Sequence, residues 1–221
     1  ALRTAERYAQ RVGEDLDGEP NARIMAYASS LRGTPSRLPV IADEMIGRDD
    51  ELRVATSLIE RSDLSLLTLT GAGGTGKTRL AIQVARAIEP QVDRVWFVDL
   101  SALRDSAGVI PAVAAACGVH PEPGHDPVDG IASLLGGRRV LIVLDNFEQV
   151  VDAAGAIARL VNAAPEAKLL VTSRMRLGIR AEHEFFVAPL ALPDDPTNIG
   201  ALRANSAVRL FVRRAATANP S

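Results

Sequence analysis

Residues 67–81 read LTLTGAGGTGKTRLA and are the most informative segment of the chain. It begins in a compact apolar and β-branched run, which indicates a buried strand, and it ends in a stretch with helical spacing. Its lysine, Lys77, is one of only two lysines among the 25 basic residues of the chain. A chain that otherwise uses arginine therefore places a lysine between a predicted strand and a predicted helix.

Residues 71–78 fit the phosphate-binding pattern G-x-x-x-x-G-K-[ST] without departure. Glycines let the backbone fold around phosphates with its N–H groups inward, and the following helix N-terminus adds partial positive charge. Lys77 would reach the β- and γ-phosphates as a compact charge, for which a planar guanidinium has the wrong shape. The alternative is a glycine-rich hairpin that contains Gly-Lys-Thr by chance. The loop residues predicted to bind nucleotide are Gly73, Gly74, Thr75, Gly76, Lys77 and Thr78.

A phosphate loop needs an acidic residue at the end of a buried strand to hold a magnesium shell. The apolar run 140–144 supplies it in Asp145, so Thr78 and Asp145 are the predicted metal-side residues; alone, Asp145 could also be a turn residue. Asn146 follows where many hydrolytic P-loop proteins have a second acid. Because an amide cannot accept a proton from water, slow hydrolysis is expected. Glu148 could act as a base at a distance or simply cap a helix in solvent.

A polar triplet, Thr-Ser-Arg at 172–174, ends the next apolar run. Ligand sites of parallel sheets lie at the carboxyl ends of the strands, which places Arg174 near a γ-phosphate. The alternative is an arginine that caps a surface loop. The predicted catalytic residues are therefore Lys77, Asp145 and Arg174.

Apolar runs alternate with helical patterns along the rest of the chain, which indicates a parallel sheet covered on both faces. The fold class expected is α/β, a P-loop NTPase three-layer fold with about five parallel strands, preceded by a short α-helical segment. The strands are predicted at 64–70, 95–100, 140–144, 168–172 and 184–187. Helices are predicted at 77–88, 109–117, 150–163 and 205–218, with a proline-rich loop at 121–127.

Composition narrows the function classes. The 221 residues have a formal net charge of −2, so no global basic field attracts nucleic acid or an acidic membrane. A single cysteine, Cys117, fits a reducing cytosol, and no apolar stretch reaches the length of a membrane span. The three histidines lack metal-ligand spacing. We expect a cytoplasmic protein without membrane contact, in which any DNA binding occurs through domains outside this chain.

These motifs, in this order, resemble the NB-ARC-type ATPase domains of the STAND class of signalling NTPases, especially those of large bacterial transcriptional regulators. The resemblance covers residues 38–218 and includes the segment 44–52, EMIGRDDEL, which is similar to the hhGRxxEL motif of the family. It implies that Ile46 and Arg48 face the base and sugar, and that the Arg79 backbone N–H contacts the α-phosphate. It also implies ATP or ADP with Mg²⁺ as ligands and Arg174 as a sensor. Without the resemblance, the segment 44–52 would be a helix start with a charged N-terminus.

The resemblance also divides the chain. Residues 1–33 are similar to the last helices of a bacterial transcriptional activator domain of SARP-type regulators, or form an unrelated helical linker. Residues 34–43 are a predicted linker, and residues 44–221 a nucleotide-binding domain that stops before the lid and winged helix of the family. The implied function is a nucleotide-dependent switch that acts on neighbouring domains and on self-association. The alternatives are a turnover ATPase or small-molecule kinase, and an interaction scaffold with structural nucleotide.

Overall fold

The computed structural model describes residues 38–41, 44–119, 124–195 and 197–218. The helices predicted within residues 1–33, and the linker up to residue 37, lie outside the described residues. Of the remaining linker, Leu38 packs on the apolar core and the Pro39 carbonyl accepts a hydrogen bond from Arg86. This part of the predicted linker therefore lies against the α/β unit.

Five parallel strands form one sheet in the order β2-β3-β4-β1-β5. The strands are β1 (Leu66–Thr70), β2 (Arg94–Asp99), β3 (Val140–Asp145), β4 (Lys168–Thr172) and β5 (Glu182–Phe186). Strands β3, β4 and β1 are parallel and consecutive in this order, so the loops that follow them lie together at one edge of the sheet. The predicted α/β fold with a parallel sheet of about five strands is confirmed.

Seven α-helices surround the sheet in the described part of the chain. They are α1 (Asp49–Glu60), α2 (Lys77–Ile88), α3 (Val109–Cys117), α4 (Pro127–Leu135), α5 (Ala154–Ala163), α6 (Ile199–Ala204) and α7 (Ser206–Ala218). Asn205 is the N-cap of α7, because its Oδ1 accepts hydrogen bonds from the backbone N–H groups of Ala207 and Val208. None of these helices is long and apolar enough to cross a membrane.

Alternate residues of the four strands β1 to β4 divide between two apolar clusters, as the two-residue period of a strand requires. In β3, Ile142 and Leu144 pack with α3, α4 and α5, whereas Leu141 and Val143 pack with α1 and α2 on the opposite face. All four side chains are fully buried. Burial of each such side chain stabilises the fold by about 1.5–3 kcal/mol, so the sheet is a rigid platform for its edge loops.

Several elements differ from the sequence prediction, and helix α6 is one that was not predicted. Helix α4 was not predicted, although Asp126 accepts a hydrogen bond from the Val128 N–H and Pro127 occupies the first turn, which is a helix-start signal. The helix predicted at 150–163 starts only at Ala154, after two 3₁₀ turns. Strand β5 begins two residues earlier than predicted, because the Glu182 carboxylate accepts hydrogen bonds from the preceding backbone and anchors the strand start.

Candidate functional site

The loop between β1 and α2 has backbone angles that require glycine. Gly74 and Gly76 have φ values of 81° and 93°, in the left-handed region that side chains disfavour. Gly71 lies so close to β5 that a Cβ on it would be 2.6 Å from the Val187 carbonyl oxygen. The loop therefore folds tightly around the N-terminus of α2, with Gly76 as the last residue before the helix.

Lys77 is only 8% exposed, and its side chain turns back into this loop. Its Nζ donates hydrogen bonds to the carbonyls of Gly71 at 2.8 Å and Ala72 at 2.9 Å. Burial lowers the pKa of Lys77 below its ordinary value of 10.5; the carboxylates of Glu148 and Asp145 oppose this effect and the Arg174 guanidinium adds to it. A partly desolvated ammonium held by two neutral carbonyls is a favourable partner for an incoming anion.

The Asp145 carboxylate lies at the end of β3 and is 3% exposed. Its Oδ1 accepts hydrogen bonds from the hydroxyls of Thr78 at 2.7 Å and Thr172 at 2.5 Å. Burial raises the pKa of Asp145 above its ordinary value of 3.8, although the two threonine hydroxyls act in the opposite direction. The structure thus brings together the two predicted metal-side residues, Thr78 and Asp145.

Asn146 explains how two strand-end carboxylates coexist. Asp99 of β2 and Asp145 of β3 are paired in register, and the Asn146 Nδ2 donates to Asp145 Oδ2 at 3.1 Å and to Asp99 Oδ1 at 3.3 Å. Asn146 adopts a left-handed conformation with φ 63°, which asparagine tolerates better than most residues. Its amide is therefore a donor between two acids, a role that a second aspartate in this position could not perform.

Arg174 and Glu148 form an ion pair at the same edge of the sheet. The Arg174 Nε lies 3.2 Å from Glu148 Oε1, and the two side chains are 67% and 18% exposed, respectively. A Cβ on Gly73 would be 3.8 Å from the Arg174 guanidinium, so this side chain lies over the glycine loop. An ion pair with so exposed a partner contributes only about 0–1 kcal/mol, so another anion can replace Glu148 at low cost.

Arg48 is buried and ties three segments together. Its guanidinium donates to Glu51 Oε1 at 2.5 Å, to the Thr75 carbonyl at 3.2 Å and to the Ala188 carbonyl at 2.5 Å. The resemblance placed Arg48 beside the base and sugar; in the structure it lines the cavity while its guanidinium joins the glycine loop to the segment after β5.

A cavity of about 530 Å³ extends from the glycine loop towards α7. One end is formed by the loop and the other by apolar side chains, which suits a ligand with a charged end and a flat apolar end. Ile46, Arg48, Gly73, Gly74, Thr75, Gly76 and Arg79, all predicted from sequence, line this cavity. Sequence reasoning missed the wall from the C-terminal segments, whose members include Pro189, Leu190, Leu210, Phe211 and Arg214.

Asp99 and Thr172 also contact the site, although neither was among the predicted site residues. Both lie at the carboxyl ends of strands, and that position was the available signal. Their contacts with the site depend on which strands are neighbours, which the pattern along the chain does not give.

The residues present fit a nucleotide with Mg²⁺. A glycine loop at a helix N-terminus provides backbone N–H groups and partial positive charge for a polyphosphate. The hydroxyl of Thr78 and the carboxylate of Asp145 are oxygen ligands of the kind that Mg²⁺ prefers, and Mg²⁺ in such sites takes its other ligands from water and phosphate. The described residues contain no cluster of three or more His, Cys, Asp or Glu that could hold a metal ion by themselves.

A glycine loop between β1 and α2, a carboxylate at the end of β3 and a five-stranded parallel sheet define a P-loop nucleotide-binding domain. The family model described as the NB-ARC domain matches residues 48–189, well over half of the chain. The chain belongs to the NB-ARC family.

The chain is also similar to parts of longer bacterial proteins. A protein of Mycobacterium tuberculosis (strain H37Rv), described as an HTH-type transcriptional regulator, is 39% identical over 156 residues, which cover 70% of this chain and 16% of that protein. The regulatory protein AfsR of Streptomyces griseus is 32% identical over 155 residues, which cover 65% of this chain and again 16% of AfsR. The chain therefore matches a small part of these longer relatives.

Among solved structures, Cdc6p from Pyrobaculum aerophilum superposes with a TM-score of 0.52 over 74% of this chain and 50% of its own. With 18% sequence identity, this likeness shows the fold alone.

Proposed function

We propose that this domain is an ATP- or ADP-binding switch of a transcriptional regulator, with Mg²⁺ as cofactor and slow ATP hydrolysis. The observation that supports it most is the meeting of Lys77, Thr78, Asp145 and Arg174 at one edge of the sheet. Each has a chemical group that responds to a terminal phosphate or its metal ion. A site that responds to the γ-phosphate distinguishes ATP from ADP.

The four groups have different parts in this proposal. Lys77 exchanges its two loop carbonyls for β- and γ-phosphate oxygens, and Thr78 and Asp145 hold Mg²⁺. Arg174 exchanges Glu148 for the γ-phosphate. The three residues predicted from sequence to be catalytic, Lys77, Asp145 and Arg174, thus also sense the nucleotide state, and hydrolysis ends the ATP state.

The other end of the cavity provides the link to the rest of the protein. Ile46 and the side chains of α7 line the cavity, so a base bound there contacts α7. Differential contact with ATP and ADP is the requirement for a population shift, and α7 is the element that would transmit it to neighbouring domains. Backbone N–H groups of the loop and of Arg79 would hold the α- and β-phosphates.

The relatives supply the regulatory context. Proteins that share this domain are described as an HTH-type transcriptional regulator and as a regulatory protein. We infer a cytoplasmic regulator that contacts DNA through domains outside this chain and self-associates according to its nucleotide state. Within it, residues 1–33 would belong to the domain that precedes the linker.

Binding and turnover measurements test the proposal. Calorimetry on nucleotide-stripped protein with Mg²⁺ should show saturable binding of ATP and ADP, and denatured preparations should release an adenine nucleotide that chromatography identifies. Hydrolysis should lie well below an ordinary turnover of about 10 per second. Absence of binding to well-folded protein contradicts the proposal, and fast turnover stimulated by a second substrate favours an enzyme instead.

A further inference from the structure

Among the described residues, Glu148 is an acidic side chain at this edge of the sheet whose position the binding of nucleotide and metal leaves unexplained. It lies in the 3₁₀ turn Phe147–Gln149, immediately after β3. Its Oε1 accepts a hydrogen bond from Arg174, whereas its Oε2 is buried and has no hydrogen-bond partner among the described residues. A buried carboxylate oxygen without a donor is unfavourable, so such an atom calls for a functional explanation.

The fold holds this carboxylate close to the phosphate loop. Phe147 is fully buried in the core and anchors the turn, and Asn146, in a left-handed conformation, directly precedes it. Burial lowers the pKa of Lys77, and among nearby charges the Glu148 carboxylate opposes this most. Glu148 therefore lies within electrostatic reach of the ammonium that is expected to hold the terminal phosphates.

The carboxylates of Asp145 and Asp99, at the same edge, already accept hydrogen bonds from other groups. Asp145 accepts from Thr78 and Thr172 through Oδ1 and from Asn146 through Oδ2. Asp99 accepts from the Ser101 backbone and from Asn146; burial alone would raise the pKa of Asp99, but these hydrogen bonds bring it below the ordinary value. Asn146 itself has an amide, which cannot accept a proton from water.

We propose that Glu148 is the general base for ATP hydrolysis and that Arg174 pairs with it until a γ-phosphate is bound. The proposal rests on the function proposed above. A water oxygen forms a bond to the γ-phosphorus as the bond from that phosphorus to the bridging oxygen breaks. Glu148 Oε2 accepts the proton of this water, ADP leaves with the electron pair of the bridging oxygen, and the proton passes to solvent with release of inorganic phosphate.

The ion pair with Arg174 makes the availability of Glu148 as a base depend on the presence of a γ-phosphate. While Arg174 donates to Glu148 Oε1, this hydrogen bond holds the carboxylate in the orientation in which Oε2 is buried. Recruitment of Arg174 by a γ-phosphate breaks this hydrogen bond, which frees the Glu148 carboxylate to turn and bring Oε2 to water, and at the same time stabilises the phosphate. The base is therefore fully available only when its substrate is present, which fits a domain with slow hydrolysis.

The test compares Glu148→Gln with the wild-type protein in single-turnover hydrolysis of Mg·ATP and in calorimetric binding of Mg·ATP and Mg·ADP. We expect hydrolysis to fall by about 100-fold or more, while the Kd for Mg·ATP stays within about threefold, since the amide is isosteric with the carboxylate. Protein purified as Glu148→Gln should retain ATP where the wild type contains ADP. Asp152→Asn removes an exposed carboxylate in the next turn and should leave all three measurements unchanged.

Arg174→Gln distinguishes a base from a residue that acts only by holding the arginine. Loss of Arg174 should weaken Mg·ATP binding relative to Mg·ADP, and Glu148→Gln should still reduce the residual hydrolysis in that background. If Glu148→Gln does not reduce hydrolysis in the Arg174→Gln background, Glu148 is not the base. The same conclusion follows if the single variant Glu148→Gln hydrolyses ATP at the wild-type rate. If it loses Mg·ATP binding, Glu148 is a binding residue and the proposal is wrong. Absence of nucleotide binding by the wild type instead removes the proposed function and this inference with it.

Discussion

Ser206, the first residue of α7, lies directly against the backbone of Gly47. A Cβ on Gly47 would be 2.2 Å from the Ser206 Oγ and 2.3 Å from its Cβ, and Gly47 has a φ of 66°. The first residue of α7 therefore packs directly on Gly47, and this close approach requires the absence of a side chain there. This contact joins the segment at Ile46 to the helix that forms the opposite wall of the cavity.

Gly47→Ala should therefore displace α7 from the cavity. We expect a loss of about 1–3 kcal/mol in the free energy of unfolding, because a left-handed alanine is strained and its methyl overlaps Ser206. The Kd for Mg·ATP should rise with the displacement of α7, as measured by calorimetry. The double variant Gly47→Ala with Ser206→Gly removes the overlap but keeps the backbone strain, so it should recover affinity more than stability. Equal affinity of the single and double variants would contradict this coupling.

Lys77→Arg should weaken nucleotide binding nearly as much as Lys77→Ala. The Lys77 ammonium fits between the carbonyls of Gly71 and Ala72, a space for a compact charge and not for a planar guanidinium. We expect a rise in the Kd for Mg·ATP of about 100-fold or more, which corresponds to about 2.7 kcal/mol.

The second lysine of the chain provides the control. Lys168 donates to the carbonyls of Arg61 and Leu64, between α1 and β1 and away from the cavity. Lys168→Arg should leave the Kd unchanged while slightly reducing thermal stability. A normal affinity of Lys77→Arg would show that this lysine does not contact the phosphates.

Asn146→Asp should destabilise the domain. The substitution replaces an amide that donates to Asp99 and Asp145 by a third negative charge between them. We expect a loss of about 1–3 kcal/mol in urea unfolding at neutral pH, and a smaller loss at lower pH, where carboxylates become protonated. Asn162→Asp, in an exposed position of α5, should change stability by less than about 0.5 kcal/mol. A neutral or stabilising Asn146→Asp would show that the bridge contributes nothing.

Asp145→Asn should remove a pH dependence from the nucleotide-free protein. Burial raises the pKa of Asp145 above 3.8, so between that value and its raised pKa the native state binds more protons than the unfolded state. The stability contributed by protonated Asp145 is therefore lost as the pH rises through this window. Relative to the wild type, Asp145→Asn should gain stability as the pH increases from about 4 towards neutrality.

Urea unfolding of both proteins in the presence of a chelator measures this difference. A constant difference across the pH range would contradict the raised pKa. The same variant should lose the Mg²⁺ dependence of nucleotide binding, because its amide is a poor magnesium ligand.

The glycine loop could be recognised in the sequence because its residues are contiguous. Residues 71–78 contain the positive-φ glycines, the lysine and the threonine in one stretch, and no distant contact is needed to recognise them. Asp145 and Arg174 could be placed near the loop because each follows an apolar strand, and parallel strands end at one edge of a sheet. Helix α4 was not predicted because its cap, Asp126, and its first residue, Pro127, lie within the proline-rich segment 121–127 that was interpreted as a loop.

Short stretches of the sequence were enough to predict the strands, the phosphate loop and the acid at the end of β3. Local backbone preferences and hydrophobic periodicity act over a few residues, so these features need no distant contact. The tertiary structure alone decided that Asn146 separates two acids, that Arg48 bonds a carbonyl 140 positions away, and that α7 returns to Gly47. Those contacts depend on the strand order β2-β3-β4-β1-β5 and on the path of the chain after β5. That order results from the packing of the whole sheet with its helices, and no short stretch of the chain encodes it.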